Sequence, residues 1–482
     1  MKKMLMIVAI ILSLVAMHPR GIVCAFPGGT WVSGVTVANL ESGEATVHID
    51  FYKQDGTLAL SFDGGTIPGN GSRTWYLPSH ISGLPSPFIG SAVVSSDKQI
   101  AAIVNTQLPS GSNPMRVGTS TGVGSAQASP IVYAPHLMRG YYGWNSYCAV
   151  QNTGSSAVTV EASYYNASGS QVLTRTQTIQ PYAMYVFDQE TETGLASGQW
   201  YSARFKGDSE HPLAVVCNFY NSGGDATTAQ FHSYNGMGVG GQTLFLPRVV
   251  KDYYYYQSGL KIQNIGTEVL SVTVTYYFGG NQYTQVSPDI GPGQAWGPYM
   301  GAPAQLPPSM ATVSGSGSAV VEVNNPTPNK LIIGIVNEDN RVNPAGRGVT
   351  YEAALPSDAS NTLIFPQVTS EYYGYSSGIQ IQKVESGVSN CTLSFSASGS
   401  VGAFQMTGIT LTDTNPSYSL FAPNATGMIP GPANDNYNGA VTVNCTGAKI
   451  VGIANLSFRY DRDTRYGNIL GDTFTTARGI AK

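Results

Sequence analysis

Ala45-Thr46-Val47-His48-Ile49-Asp50-Phe51 alternates apolar with polar side chains without a break. Alternation puts one set of side chains on each face of an extended strand, so this stretch reads as a strand half-buried against a core. Val158, Val160, Ala162 and Tyr164 repeat the pattern against Thr159, Glu161 and Ser163, and Val272 to Tyr277 does so again. Ile332-Ile333-Gly334-Ile335-Val336 is apolar throughout and suits a central strand covered on both faces. Helical periodicity of useful length is absent outside an apolar N-terminal stretch.

The strands belong to a unit that recurs four times. Phe245-Leu246-Pro247 leads to Leu260-Lys261-Ile262-Gln263-Asn264, Tyr133-Ala134-Pro135 to Val150-Gln151-Asn152, and Phe365-Pro366 to Ile381-Gln382-Lys383. In each the Pro stands 17 residues ahead of the closing Asn or Lys, and Val37-Ala38-Asn39 is the same position in a first copy. A second marker, Val104-Asn105, Cys217-Asn218, Val336-Asn337 and Ala454-Asn455, keeps the same register. Between them fall Tyr52, Tyr165 and Tyr277, then Gly turns, then Ile67-Pro68, Ile179-Gln180-Pro181 and Ile290-Gly291-Pro292.

A copy of roughly 115 residues with about seven strands indicates a two-sheet sandwich of immunoglobulin type, with a jelly roll as the second choice. The expected chain is therefore all-β: four tandem immunoglobulin-like β-sandwich domains after an N-terminal signal peptide. The boundaries are 1–25 for the signal peptide, then 26–126, 127–240, 241–359 and 360–482 for the sandwiches. Opening strands carry the apolar-Pro signature, and in the first copy that strand would fall near Ile22. Domain 1 is thus expected to lack its first edge strand and accept one from another chain, unless Phe26 to Trp31 rebuilds a shorter edge or the start site lies elsewhere than after Ala25.

Composition narrows the function classes. Only 11% of the 482 residues are charged, yet 42% are hydrophobic and 29 are Tyr, so the chain can fill several cores and is not a disordered tail. Net charge is −4 and no Lys/Arg run exists, which removes nucleic acid as a partner. Lys2 and Lys3 precede the apolar stretch Met4 to Met17, with Val23 and Ala25 marking a cleavage site after Ala25. Lipidation at Cys24 is the weaker reading. That stretch is too short for a comfortable membrane span, and no later segment could span a membrane. A secreted or cell-surface location follows.

Cys148 and Cys217 lie in strands leading to Asn152 and Asn218, the position of the inter-sheet bridge of an immunoglobulin sandwich. Cys391 and Cys445 both fall in domain 4. Two disulfides, 148–217 and 391–445, are expected, and they suit an oxidising compartment.

Catalytic chemistry leaves no trace. The six His do not recur between copies and none has ligand spacing with another. Gly118-Thr119-Ser120-Thr121-Gly122 fits G-x-S-x-G, but in a Ser/Thr-rich strand end rather than a strand-to-helix turn. Asn434-Asp435-Asn436 and Asp461-Arg462-Asp463 hold too few oxygens for a dedicated calcium loop, so no cofactor is expected and calcium stays a minor option. The chain reads as a non-enzyme.

One constellation stands out. Aromatics follow the opening Pro at fixed offsets: Tyr141, Tyr142 and Trp144; Tyr253, Tyr254 and Tyr256; Tyr372, Tyr373 and Tyr375; and Trp31 in the first copy. These rings either pack at a joint between domains or form a platform on which sugar rings stack. A fixed place in a tandem repeat favours the joint.

The apolar-x-apolar-x-Asn strand, the β-run ending in two aromatics, the Gly turn and the Ile-x-Pro together resemble the tandem Ig-like repeats of bacterial and archaeal extracellular proteins. That resemblance covers nearly the whole mature chain and implies stalks, adhesins, surface-layer or filament subunits, without catalytic residues. The reading is a secreted structural or adhesive protein whose partners are cell-surface components, glycans or copies of itself. A carbohydrate-binding protein working through its aromatic loops is the alternative, and a secreted hydrolase a distant third.

Overall fold

The computed structural model describes residues 8–13, 31–108, 115–221, 229–340, 346–428, 437–458 and 472–482. The chain is all-β, with eight small antiparallel sheets, two in each of the four copies. It divides into two compact units, residues 1–239 and 240–482, each holding two copies.

The alternating stretches are half-buried strands. Ala45–Lys53 buries Ala45, Val47, Ile49 and Phe51 and turns the intervening residues outward. Val272–Phe278 alternates in the same way along its whole length. The second and seventh strands of the second copy, Trp144–Asn152 and Leu213–Asn221, are buried at every position. One face meets their own sandwich; the other meets the first copy, where Ile89 packs on Ala149, Met184 and Val216. In the second unit Phe245 packs on Ala354 and Val451 across the equivalent joint. Paired copies are thus packed side by side within each unit.

Strand order is the same in the copies, except that copy 4 adds Ile480–Ala481 as a fifth strand beside Thr362–Ser370. In copy 2, one sheet runs Gln171–Ile179, Val158–Asn166, Gln199–Lys206, Ile131–Arg139. The other runs Met184–Asp188, Trp144–Asn152, Leu213–Asn221, Phe231–Asn235. The first strand therefore neighbours the sixth, the second neighbours the fifth and seventh, and the third pairs with the fourth. The expected seven-strand immunoglobulin arrangement, with its first two strands side by side, does not carry over strand for strand. Eight strands with nested pairings make a two-sheet Greek-key sandwich.

The repeated first Asn has a structural job. Asn39 Nδ2 donates to the carbonyls of Gly43 (2.6 Å), Ile67 (3.2 Å) and Pro68 (3.3 Å), and its Oδ1 accepts from Glu41 N (3.0 Å). Asn152 and Asn264 tie the same turn to the same Ile-x-Pro segment in copies 2 and 3. Lys383 replaces it in copy 4 with Nζ on Glu385 O (2.7 Å) and on Asp413. The second Asn accepts from a hydroxyl on the eighth strand: Thr119 to Asn105, Ser233 to Asn218 and Thr350 to Asn337.

Both disulfides are present, Cys148–Cys217 and Cys391–Cys445. The expectation of an inter-sheet position needs correcting. Cys148 and Cys217 face each other on adjacent strands of one sheet, and so do Cys391 and Cys445. The two bridges occupy different sheets of their copies, which explains why their spacings differ.

The first copy does have an opening strand, and its origin is unexpected. Val8–Ser13 pairs antiparallel with Ile89–Ser96, in the place that Ile131–Arg139, Thr243–Lys251 and Thr362–Ser370 take in the other copies. The cleavage site at Ala25, Cys24 and the segment Phe26 to Thr30 lie outside the described residues, as do both calcium-type clusters, 434–436 and 461–463.

Candidate functional site: the tyrosine turns

The aromatic segments of copies 2, 3 and 4 are two-residue hairpin turns. Tyr141 and Trp144 exchange backbone hydrogen bonds of 3.0 and 2.9 Å, Tyr253 and Tyr256 of 3.3 and 2.9 Å, and Tyr372 and Tyr375 of 3.1 and 2.9 Å. The two residues between each pair have positive φ: Tyr142 (49°) and Gly143 (82°), Tyr254 (49°) and Tyr255 (69°), Tyr373 (48°) and Gly374 (81°). Positive φ at both positions marks the turn whose twist matches paired strands, and Gly normally takes at least the second position. Copy 3 departs by placing Tyr255 there. An L-residue in this region costs about 1–2 kcal/mol, a strain typical of functional sites.

The three aromatic offsets divide by environment. The middle tyrosine stands in solvent: Tyr142 is 78% exposed, Tyr254 75% and Tyr373 60%. Its ring leans edge-on against the first tyrosine, with centroids 4.7 Å apart in all three turns. The last aromatic turns inward. Trp31 is fully buried against Phe231 of copy 2 (4.8 Å), and Tyr256 meets Phe474 of copy 4 (5.4 Å), so these are joint residues. Trp144 packs on His232 and Tyr375 on Phe458, each within its own copy. Burial pushes the phenols of Tyr256 and Tyr375 up to about 12. The last ring of the motif thus packs at a joint in copies 1 and 3, while the middle tyrosine of copies 2, 3 and 4 stands in solvent.

The copy-3 turn sits over a cleft of about 720 Å³ lined by Asp252, Tyr254, Tyr255, Gln257, Tyr299, Gly301 and Asp339. The first tyrosine of that turn is held by a buried ion pair. Arg248 makes a two-pronged ion pair with Glu338, Nε to Oε2 at 2.8 Å and Nη2 to Oε1 at 2.7 Å, with both side chains buried. The Arg248 guanidinium lies 5.6 Å from the Tyr253 ring centroid, a cation–π contact that holds the first tyrosine of the turn. Tyr351 Oη donates to the Arg248 carbonyl and fixes the strand beneath.

The rim is polar. Gln257 Nε2 donates to Asp252 Oδ1 (2.6 Å), and Lys251 Nζ donates to Asp252 Oδ2 (2.8 Å). Those contacts, Lys251 first, hold the Asp252 carboxyl below the usual carboxylate range, so it is an anion at neutral pH. Tyr299 Oη donates to Asp339 Oδ1 (3.1 Å), and Asn340 Nδ2 donates to the Tyr254 carbonyl (3.2 Å). Exposed aromatic faces beside carboxylates and an amide can stack on apolar C–H faces and accept hydrogen bonds from hydroxyl groups.

Sequence reasoning selected Tyr253, Tyr254 and Tyr256 and missed Tyr255, Asp252, Gln257, Tyr299 and Asp339. Tyr255 could have been found, because a Tyr stands where two other copies have Gly. Elsewhere, the G-x-S-x-G match lies in the edge strand Val117–Thr121. Among the described residues, no group of three His, Cys, Asp or Glu is placed to hold a metal, and no helix is long and apolar enough to cross a membrane.

No family model matches this chain, and no curated protein does. Among solved structures, that of Thermotoga maritima 1070 aligns over 24% of this chain and 94% of its own, at 15% identity and a TM-score of 0.19. A calcium-binding mutant of Bacteroides uniformis beta-glucuronidase 2 aligns over 44% of this chain and 25% of its own, at 9% identity and a TM-score of 0.11. At these scores neither carries a functional reading.

Proposed function

We propose that this chain is a non-catalytic, extracellular adhesive protein whose third sandwich holds a carbohydrate through its tyrosine turn. One observation carries the proposal: Tyr254 and Tyr255, 75% and 69% exposed, sit together at positive φ over a cleft edged by Asp252, Gln257 and Asp339. Folding alone gains little from two large rings in solvent, and the second of them is strained. A ligand that stacks on those rings gives both a use. Sugars present the complementary chemistry, with flat C–H faces for the rings and hydroxyl donors for the carboxylates.

The sandwiches supply a rigid mount. In the copy-3 turn, Tyr256 is anchored on Phe474 and Tyr253 on the Arg248 guanidinium, which leaves Tyr254 and Tyr255 presented on a fixed backbone. Export to an oxidising compartment belongs to this reading. The test is a polysaccharide and glycan panel with the purified chain and a Tyr254→Ser, Tyr255→Gly double variant. Wild-type binding that the variant loses at unchanged melting temperature supports the proposal. Absence of binding across the panel, or equal binding by both chains, refutes it.

A further inference from the structure

The opening strand of the first copy is out of register with the repeat. Ile131, Thr243 and Thr362 each begin their strands 21 residues ahead of the markers at 152, 264 and 383. Val8 begins 31 residues ahead of Asn39. The other opening strands carry a Pro, and their pairing shifts beside it. Val8–Ser13 has no Pro and runs in unbroken antiparallel register from Val8–Val94 to Ser13–Ile89. A segment from outside the repeat has been drafted into a position the repeat leaves open.

That position cannot be left empty cheaply. In the second unit its occupant, Thr243–Lys251, is buried at every residue but the first. Leu244, Leu246 and Val249 enter the core of their own copy, while Phe245 packs across the joint on Val451. In the first unit the corresponding slot has the backbone edge of Ile89–Ser96 on one side and Trp144–Asn152 of copy 2 close by. The slot exposes a row of unpaired peptide N–H and C=O groups, a template for another extended backbone.

The segment that fills it, Val-Ala-Ile-Ile-Leu-Ser, is the centre of the apolar stretch expected to be removed with residues 1–25. We infer that the edge of Ile89–Ser96 is a strand-acceptor site, filled by the leader in the precursor and, once the leader is gone, by an aliphatic extended segment of a different polypeptide. The donor's chemistry is read from the seated strand: six or more residues, aliphatic or β-branched, free of Pro, antiparallel. A second copy of this chain is a poor donor, because each of its other described strands is already paired in a sheet. The inference is independent of the glycan reading, since it concerns copy 1.

The test folds the full chain first and cuts it afterwards at a protease site placed between Ala25 and Phe26. The probe is a labelled peptide of residues 5–14 flanked by lysines, with an Ile10→Pro version as control. Expected are a melting temperature lowered by roughly 10 °C or more after the cut leader is washed out, and recovery with one bound peptide per chain. The Pro control should fail, because it cannot donate to the ladder. Full stability after loss of the leader, equal binding of both peptides, or closed self-association of the cut chain would each overturn the inference. So would an intact mass for the exported protein that still begins at Met1. Glycan binding by copy 3, measured on the same sample, stays unaffected in every case.

Discussion

Replacing Tyr255 by Gly separates a ring kept for binding from a ring kept for folding. Its φ of 69° carries about 1–2 kcal/mol of strain that Gly would release. Against this, Gly adds unfolded-chain freedom worth about 0.5–1 kcal/mol. The ring is 69% exposed, so about a third of it is in contact, and losing that costs roughly 0.5–1 kcal/mol. These terms cancel to within about 1 kcal/mol, a melting shift of no more than about 4 °C for a unit of this size. Affinity behaves differently. One lost ring stack is worth about 1 kcal/mol or more, so Kd should rise roughly 5- to 30-fold. Differential scanning calorimetry and glycan titration on the same samples give both numbers. A melting loss beyond about 8 °C, or an unchanged Kd, would refute the reasoning and make the turn a purely structural feature.

Other perturbations probe the frame. Glu338→Ala leaves the Arg248 charge buried without its partner and should destabilise the second unit by about 3–5 kcal/mol in urea titration; a loss below 1 kcal/mol would contradict the burial. Cys148→Ala with Cys217→Ala should cost about 2–4 kcal/mol, seen in the first unit's unfolding transition and not in the second's. Burial pulls the Lys261 ammonium down to about 8 from an ordinary value near 10.4. The unfolded chain therefore binds the extra proton between those values, and stability from this group rises as pH climbs from about 8 to about 10. Lys261→Met should abolish that rise, which denaturant curves at several pH values would check.

The sandwich frame was legible because period-two alternation and the recurring Asn markers are local signals. Asn39, Asn152 and Asn264 tie off the same turn, so their spacing reports the unit directly. Cysteine spacing gave the partners of both bridges but not their geometry. A cross-strand neighbour and a residue on the facing sheet can lie equally far along the chain. The opening strand of copy 1 was seen to be missing from the repeat, yet its replacement was hidden, since no repeat signature marks Val8–Ser13. The tyrosine turns were visible by offset. Their division into packed and exposed rings was not, because it depends on which ring faces the protein interior or the neighbouring copy. Asp339 and Tyr299 reach the cleft through strand and loop placement, for which sequence carries no local sign.

Tyrosine-ring NMR of the intact chain, titrated with the best-bound glycan, examines the proposed contact atom by atom. Ring signals of Tyr254, Tyr255 and Tyr299 should move together with one saturation curve, while Tyr142 and Tyr373 stay still. Shifts confined to other rings, or spread evenly over all three turns, would contradict a single binding cleft in the third copy.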